Sequence, residues 1–500
     1  MDLASDVPAL RCQFLNSQPV EPRGDYVLYW MTAFRRPDYN FALQRAVEWA
    51  RQLKRPLVVL EALRSDYRWA SDRLHAFVLR GMIDNARYFE ERDVAYYPYV
   101  EPAAGAGRGL LARLAERACV VVGDDFPCFF LPRMLQAAAR SMPVRMESID
   151  GNGLLPMRAA PKVYTRAFSF RSFLQKNLAG HLLDAPLQDP TEARLPTLDR
   201  WPAGLEKQWP RFDTTVRDIT ADELRSLPID HGVPISPIVG GRAAAQQRID
   251  EFFRRRLDDY SEGRNHPDQD ASSGFSPYLH FGHMSVHQVF ERLTEREKWT
   301  PGKLAEKSRG SREGWWGMSP TAESFLDELV TWREIGFNMC WQDENYDQYA
   351  SLPDWAQATL RKHEKDPRDH IYSLEQFEQA ETHDVIWNAA QRQLRREGRM
   401  HNYLRMLWGK KILEWTACPR DALEILIELN NKWALDGRNP NSYSGIFWTL
   451  GRYDRAWGPE RPVFGTIRFM SSDNTARKVR LKEYLKRFGP APPQKKLAGF

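Results

Sequence analysis

Three tryptophans stand where their spacing could do chemistry. Trp408 and Trp415 lie seven residues apart in HNYLRMLWGKKILEW, a helical pattern. Two turns of helix put both indoles on one face, about 10.5 Å apart along the axis. Trp387 lies in the neighbouring pattern HDVIWNAAQ. Indoles at such separations either pack a core or pass an electron stepwise, and spacing alone favours packing while leaving the relay open. His280, His283 and His287 recur at i, i+3 and i+7. No acid or thiolate accompanies them, so a structural or cofactor-adjacent role is expected, and no metal. GAGRG (105–109) resembles a phosphate loop, but without a third glycine at the right spacing it reads as a loop capping the next helix. Neither G-x-S-x-G nor H-E-x-x-H occurs, so hydrolase chemistry has no support.

These residues need elements to position them. YVLYWM (26–31), PLVVLEAL (56–63), VAYYPYV (94–100) and CVVVGDDF (119–126) are rich in β-branched and aromatic residues, which predicts strands. Helical periodicity near 40–53, 74–92, 108–118 and 131–141 falls between and after them. Such alternation predicts an open, parallel, Rossmann-like α/β sheet over 20–150. Residues 151–240 are proline-rich and weakly periodic, and read as a surface connection between domains. Helical patterns at 243–260, 284–296, 322–340, 374–380, 386–397, 401–416 and 420–433 predict an all-α domain over 241–488. The segment 299–320, containing GSREGWWG, reads as an inserted loop.

Composition bounds the class of protein. Five hundred residues favour two domains. Charged residues at 27% and hydrophobics at 42% exclude a disordered or collagen-like chain. No apolar run approaches the roughly 18 residues that cross a bilayer, so no membrane role is expected. The start MDLASDVPALRCQF lacks the features of a secretory signal. The five scattered cysteines form no C-x-x-C pair, which suits a reducing cytoplasm. Charge is uneven: residues 385–488 hold 20 Lys/Arg against 10 Asp/Glu in a chain of net +5. Twelve of the 17 tryptophans follow residue 298. Arginines interleaved with tryptophans through 438–468, and RKVRLKEYLKR (477–487), suit either a solvated face or a nucleic-acid surface.

Taken together, FFRRRLDDYSEGRN (252–265), FSPYLHFGHMS (275–285), FLDELVTWREI (325–335), THDVIWNAAQ (382–391), GRMHNYLRMLWGKKILEW (398–415), LDGRNPNSYSGIFW (435–448) and DRAWGPERPVFGTIRFM (454–470) resemble the class II cyclobutane pyrimidine dimer photolyases of the photolyase/cryptochrome family. YWM (29–31) and RRPDYNFAL (35–43) resemble that family's opening more loosely.

The resemblance implies a noncovalent FAD in the helical domain. Tyr260 and Ser272, Ser273, Gly274, Phe275 and Ser276 would hold its phosphates and sugar, before a helix expected from about 284. Arg405 and Asp436 would pair over the flavin ring, with Asn430 at its reactive edge. Glu328 corresponds to an active-site glutamate that, protonated, would hydrogen-bond the carbonyls of a flipped-out dimer. Trp332 and Trp448 would flank the dimer above Met406. Trp408, Trp387 and Trp415, in that order outward, would form the photoreduction chain, which raises the relay above core packing. Arg264, Asn265, Trp457 and Arg468 would contact UV-damaged DNA around the lesion.

The implied activity is light-dependent dimer repair by electron transfer from photoexcited reduced FAD. The alternative is a cryptochrome-like flavin photosensor without repair. A deazaflavin-type antenna in the N-terminal domain is compatible with the resemblance, and a monomer without an obligate protein partner is expected. Four stretches depart from the family pattern: GRYD (451–454) is one residue shorter and lacks a histidine, Leu407 and Asn402 replace an aromatic and a glycine, and DDFPCFFLPRM (124–134) replaces a short Asp-Phe loop.

Overall fold

In the computed structural model, which describes residues 3–490, the chain divides into two compact units. The first takes residues up to Asp258, Ser273–Tyr346 and Arg438–Ser444. The second takes Asp259–Ser272, Asp347–Gly437 and the chain from Gly445 onward.

The first unit is built on a six-stranded sheet: β1 (Cys12–Phe14), β2 (Tyr26–Met31), β3 (Leu57–Leu63), β4 (Ala95–Val100), β5 (Ala118–Asp124) and β6 (Met146–Ile149). The order is β1-β6-β5-β2-β3-β4, with only the β1–β6 pair antiparallel. The four expected strands are present within one residue or two of their predicted bounds. Helices α1 (Phe41–Leu53), α2 (Asp72–Glu90), α3 (Leu110–Ala115) and α4 (Leu131–Ser141) connect them. Asn40 starts α1 because its side-chain oxygen accepts from the N–H groups of Ala42 and Leu43 at 3.0 and 3.1 Å. Val27, Val58, Val59, Val121 and Val122 are fully buried, as strands covered on both faces require.

Two strands, β1 and β6, lie outside the sequence expectations. β6 reads MESI, too short and polar to signal a strand, yet all four residues are buried. Its Glu147 is satisfied from α1, by Arg45 at 2.7 Å and the Trp49 indole N–H at 3.2 Å. Residues 151–240 carry short helices at Ala167–Asn177, Leu205–Gln208 and Ala221–Leu224. They also contribute Leu205 and Trp209 to the sheet's core, and Ile219 and Leu224 to the packing against α2. The 299–320 loop is anchored by tryptophans: Trp299 donates to the Trp316 carbonyl at 2.6 Å, and both rings have centroids 5.7 Å from that of Phe290.

Helix Arg242–Arg255 is shorter than its pattern, and helix Val286–Glu297 begins at an N-cap, Ser285. The helix expected over 322–340 runs as Pro320–Leu326 and Arg333–Gln342, joined by a π-helical turn, Asp327–Trp332. Sequence periodicity did not signal that widening.

The second unit is helical. Its elements include Asp354–Lys362, Leu374–Gln379, Val385–Glu397, Asn402–Glu414, Pro419–Trp433, Ser472–Lys478 and Lys482–Phe488. Asp384 caps the helix Val385–Glu397 by accepting from Ile386 and Trp387, and Gly398 ends it at φ 73°. Among the described residues no helix is long and apolar enough to cross a membrane.

Candidate functional site

In the second unit the helices Val385–Glu397 and Asn402–Glu414 pack side by side, and the three tryptophans meet at their seam. Trp387 stacks on Trp408 with ring centroids 6.3 Å apart and planes 7° apart, and meets Trp415 at 6.1 Å and 66°. It therefore stands between the two indoles that follow it in the chain. Its N–H donates to the Trp408 carbonyl at 3.0 Å, and the Trp408 N–H to Gln391 at 2.9 Å. All three rings are buried. Contiguous π-contact gives the trio the geometry of a relay as well as that of a core.

On the same helix as Trp408, Arg405 forms a two-pronged ion pair with Asp436 at 3.2 and 3.3 Å, half-buried. Asn430, buried on the helix Pro419–Trp433, donates to Asn431 at 3.2 Å.

A cavity of about 460 Å³ in this unit gathers four of the predicted residues: Met406, Trp448, Trp457 and Arg468. Asp454 organises its wall. One carboxylate oxygen accepts the Trp457 indole N–H at 3.1 Å, and the other pairs with Arg468 at 3.2 Å. The Arg468 guanidinium thereby sits 4.1 Å from the Trp457 ring and 5.7 Å from the Trp448 ring. Asp454 ends the shortened GRYD segment. Gly451 (φ 108°) lets that segment pass where a Cβ would come 2.8 Å from Ile467, and Arg452 is buried against Phe447 at 3.7 Å.

A second support was also missed by sequence reasoning. Lys410, fully buried, donates to the Thr449 carbonyl at 2.7 Å and lies 4.6 Å from the Trp448 ring. Burial, opposed by Asp454 and reinforced by Arg468, pushes its ammonium down to about 7. The doubled lysine in WGKKILEW was the available signal, but a lysine on a helix reads as solvated.

Arg264 lies over the Tyr260 ring at 5.4 Å, with Asn265 exposed beside it. Neither lines the 460 Å³ cavity. Ser272 donates to Asp270 at 2.9 Å, and Asp270 in turn holds Arg399.

In the first unit the π-helical turn carries Glu328 and Trp332, both half-buried. The neighbouring Asp327 is clamped by Arg171 through two bonds of 2.8 and 3.1 Å, which fixes the turn. Widened turns of this kind recur at functional sites, because the extra residue re-aims side chains. Ser273–Ser276 also lies here, leading into a short helix, Ser276–His280, rather than into the one expected near 284. Arg248 donates to the Ser273 carbonyl at 2.6 Å, and Gly274 (φ 68°) has no room for a Cβ, which would come 2.6 Å from that guanidinium. Phe275 is buried against Phe252 at 5.0 Å. Hydroxyls, a tight glycine and a guanidinium form a donor set that fits phosphates.

The three histidines do not converge. His283 stacks on Phe77 and accepts from the Gly241 N–H at 2.9 Å, His287 packs on Phe41, and His280 meets Asn439 at 3.1 Å. Among the described residues no group of three or more His, Cys, Asp or Glu side chains could hold a metal.

A cavity of about 330 Å³ opens at the carboxyl ends of the strands, walled by Trp30, Tyr67, Phe129 and Phe130 with Arg35 and Arg108. GAGRG borders it through Gly105, Gly107 and Arg108, and is held by Glu101, which accepts the Gly107 N–H at 3.1 Å. Gly109 (φ 88°) then starts α3. Open α/β sheets bind ligands at this end of their strands.

No protein-family model matches the chain. The deoxyribodipyrimidine photo-lyase of Methanothermobacter thermautotrophicus is 34% identical, over 96% of this chain and 98% of its own. The enzyme of the same name from Arabidopsis thaliana is 31% identical, over 94% and 90%. Two solved structures share the fold: a class III photolyase from Agrobacterium tumefaciens (TM-score 0.66, 18% identity, 95% of this chain and 87% of that one) and a Synechocystis cryptochrome (0.67, 15%, 93% and 88%). Sheet and helices together are thus the fold of photolyases and cryptochromes. The chain belongs to that family, among its deoxyribodipyrimidine photo-lyases, and is an enzyme of that lyase class.

Proposed function

We propose that the protein repairs cyclobutane pyrimidine dimers in DNA under light. The observation that carries this reading is the cavity lined by Met406, Trp448, Trp457 and Arg468, in a chain whose relatives are named photo-lyases. Its walls offer two indole faces for a base-like ring, a methionine floor and a guanidinium for phosphate or for the gap left by a flipped base. Arg264 and Asn265 supply further contacts to the strand, and the basic 477–487 stretch contacts phosphates.

Tyr260, Ser272, Ser273, Gly274, Phe275 and Ser276 would hold FAD, with Arg405, Asp436 and Asn430 towards its ring, and FAD when bound would supply the light-driven electron. The Arg405–Asp436 pair balances charge at the ring. Glu328 keeps its proton and donates it in a hydrogen bond as negative charge develops on the dimer carbonyls. Trp332 and Trp448 each offer an indole face to the lesion. Trp408, Trp387 and Trp415 return the resting enzyme to its reduced state. The 330 Å³ cavity suits a planar antenna of the deazaflavin type, with aromatic walls and arginines for an anionic edge. The enzyme acts as a monomer on DNA inside the cell.

The test is recovery of thymine absorbance in a dimer-containing oligonucleotide with chemically reduced protein. Recovery under blue light and none in the dark is expected. No recovery from flavin-loaded protein overturns the repair reading in favour of a photosensor, the role that the likeness to a cryptochrome keeps in view.

A further inference from the structure

The indole of Trp448, which lines the 460 Å³ cavity, is backed by a buried cation. Lys410 does not itself line that cavity and has no exposed surface. Its Nζ donates to the Thr449 carbonyl at 2.7 Å and to the Trp448 carbonyl at 3.5 Å, at the end of the helix Pro440–Thr449. A cation placed there satisfies terminal carbonyls and meets the negative end of the helix. The ammonium lies 4.6 Å from the Trp448 ring, and Arg468, from the cavity wall, lies 5.7 Å from the same ring. Gly409 permits this placement, because a Cβ there would collide with the Thr449 side chain.

We propose that Lys410 is a positioning residue for the lesion cavity: it fixes the helix end that carries Trp448, and its charge is coupled to the binding of dimer-containing DNA. The inference rests on the reading of that cavity as the lesion site.

The coupling follows from the charges that reach this lysine. Burial pushes its ammonium down to about 7, Asp454 supports the charge and Arg468 opposes it. The helix that Lys410 caps has no charged side chain. On its own helix Arg405 is paired with Asp436 and Lys411 with Glu414. In the free protein Arg468 is itself paired with Asp454 at 3.2 Å. A DNA phosphate that engages Arg468 offsets the opposing cation and releases the supporting carboxylate. Both changes favour the ammonium. Lys410 is already buried, so DNA adds nothing to its desolvation. Above neutrality, binding therefore moves a proton from solvent onto Nζ, and affinity falls as pH rises through the value in the complex. Among the described residues no histidine lines the cavity, so its wall offers no imidazole for that proton.

Isothermal titration calorimetry tests this on the full-length, FAD-loaded protein, in the dark, with a dimer-containing oligonucleotide and its undamaged counterpart. Repeating the titration in buffers of different ionisation enthalpy counts the protons taken up. Near pH 8 about half a proton or more per complex is expected with the dimer. Lys410→Met keeps the length of the side chain without its charge. It should lose that uptake and weaken binding of the dimer about tenfold, while its melting curve shows a folded protein. Arg468→Gln should also reduce the uptake, in a protein that retains Lys410. A lysine that only capped a helix would alter the melting temperature and leave the proton count unchanged. Equal uptake in Lys410→Met and the unaltered protein, or dimer-selective binding with no uptake, overturns the coupling. An unchanged Kd in Lys410→Met overturns the positioning role. No preference for the dimer in the unaltered protein overturns the reading of the cavity itself.

Discussion

Trp387 has no exposed surface, and its ring lies against both of the other indoles. Replacing Trp408 with Phe removes the indole that the relay places first. Photoreduction of oxidised flavin should then fall to background in a continuous-illumination assay, while protein reduced beforehand repairs as before. Equal loss of both activities would contradict the relay. Glu328, on its π-helical turn, is proposed for the repair step. Glu328→Ala should lower the repair yield about tenfold, the worth of about 1.5 kcal/mol for a hydrogen bond to developing charge, without releasing FAD. An unchanged yield per absorbed photon would remove Glu328 from the mechanism. These side chains were named from the sequence because their local motifs are specific. Asp454 and Lys410 were not, because their roles depend on where the fold brings Trp457, Arg468 and the Thr449 carbonyl.

At the scale of elements, Asp454 couples a short segment to the cavity wall by holding Trp457 and Arg468 at once. Asp454→Ala should free both and weaken binding of dimer-containing DNA about tenfold, with little effect on undamaged duplex. Gel-shift titration of the two DNAs separates the cases. Lys410 ties helix Asn402–Glu414 to the carbonyl of Thr449. Folded, it loses its proton near pH 7; unfolded, it keeps it to about 10.5. Between those values the unfolded chain binds more protons, so this group's contribution to stability rises with pH; below about pH 7 the cost of the buried charge is complete. Lys410→Met should therefore be the more stable protein below pH 7, with the difference in melting temperature shrinking towards pH 10. A difference independent of pH would show that the burial cost is not what the substitution removes.

For the whole molecule, a net charge of +5 conceals +10 between residues 385 and 488. Binding to DNA should therefore weaken steeply with salt. Replacing Arg477 and Lys478 with Gln should lower the log–log salt slope by about one for each phosphate that these side chains neutralise, on damaged and undamaged DNA alike. Titrations at several salt concentrations measure that slope, and an unaltered slope would leave this basic stretch as an ordinary solvated face.

The sequence by itself determined the types of the long, periodic elements, because hydrophobic period is local: YVLYWM and CVVVGDDF alternate with helical patterns and build the parallel part of the sheet. It also determined which tryptophans share a face, since seven residues span two turns. β6 stayed hidden because MESI is apolar at only two of its four positions, and it is buried only because Arg45 and Trp49 reach Glu147. The π-helical turn stayed hidden because a single widened turn barely alters a period of 3.6. The 330 Å³ cavity at the strand ends, the Asp454 bridge and the Tyr372–His383 bond were decided by tertiary structure alone. Each joins groups that only packing brings within a hydrogen bond or a ring contact, and no pattern of neighbours along the chain encodes that distance.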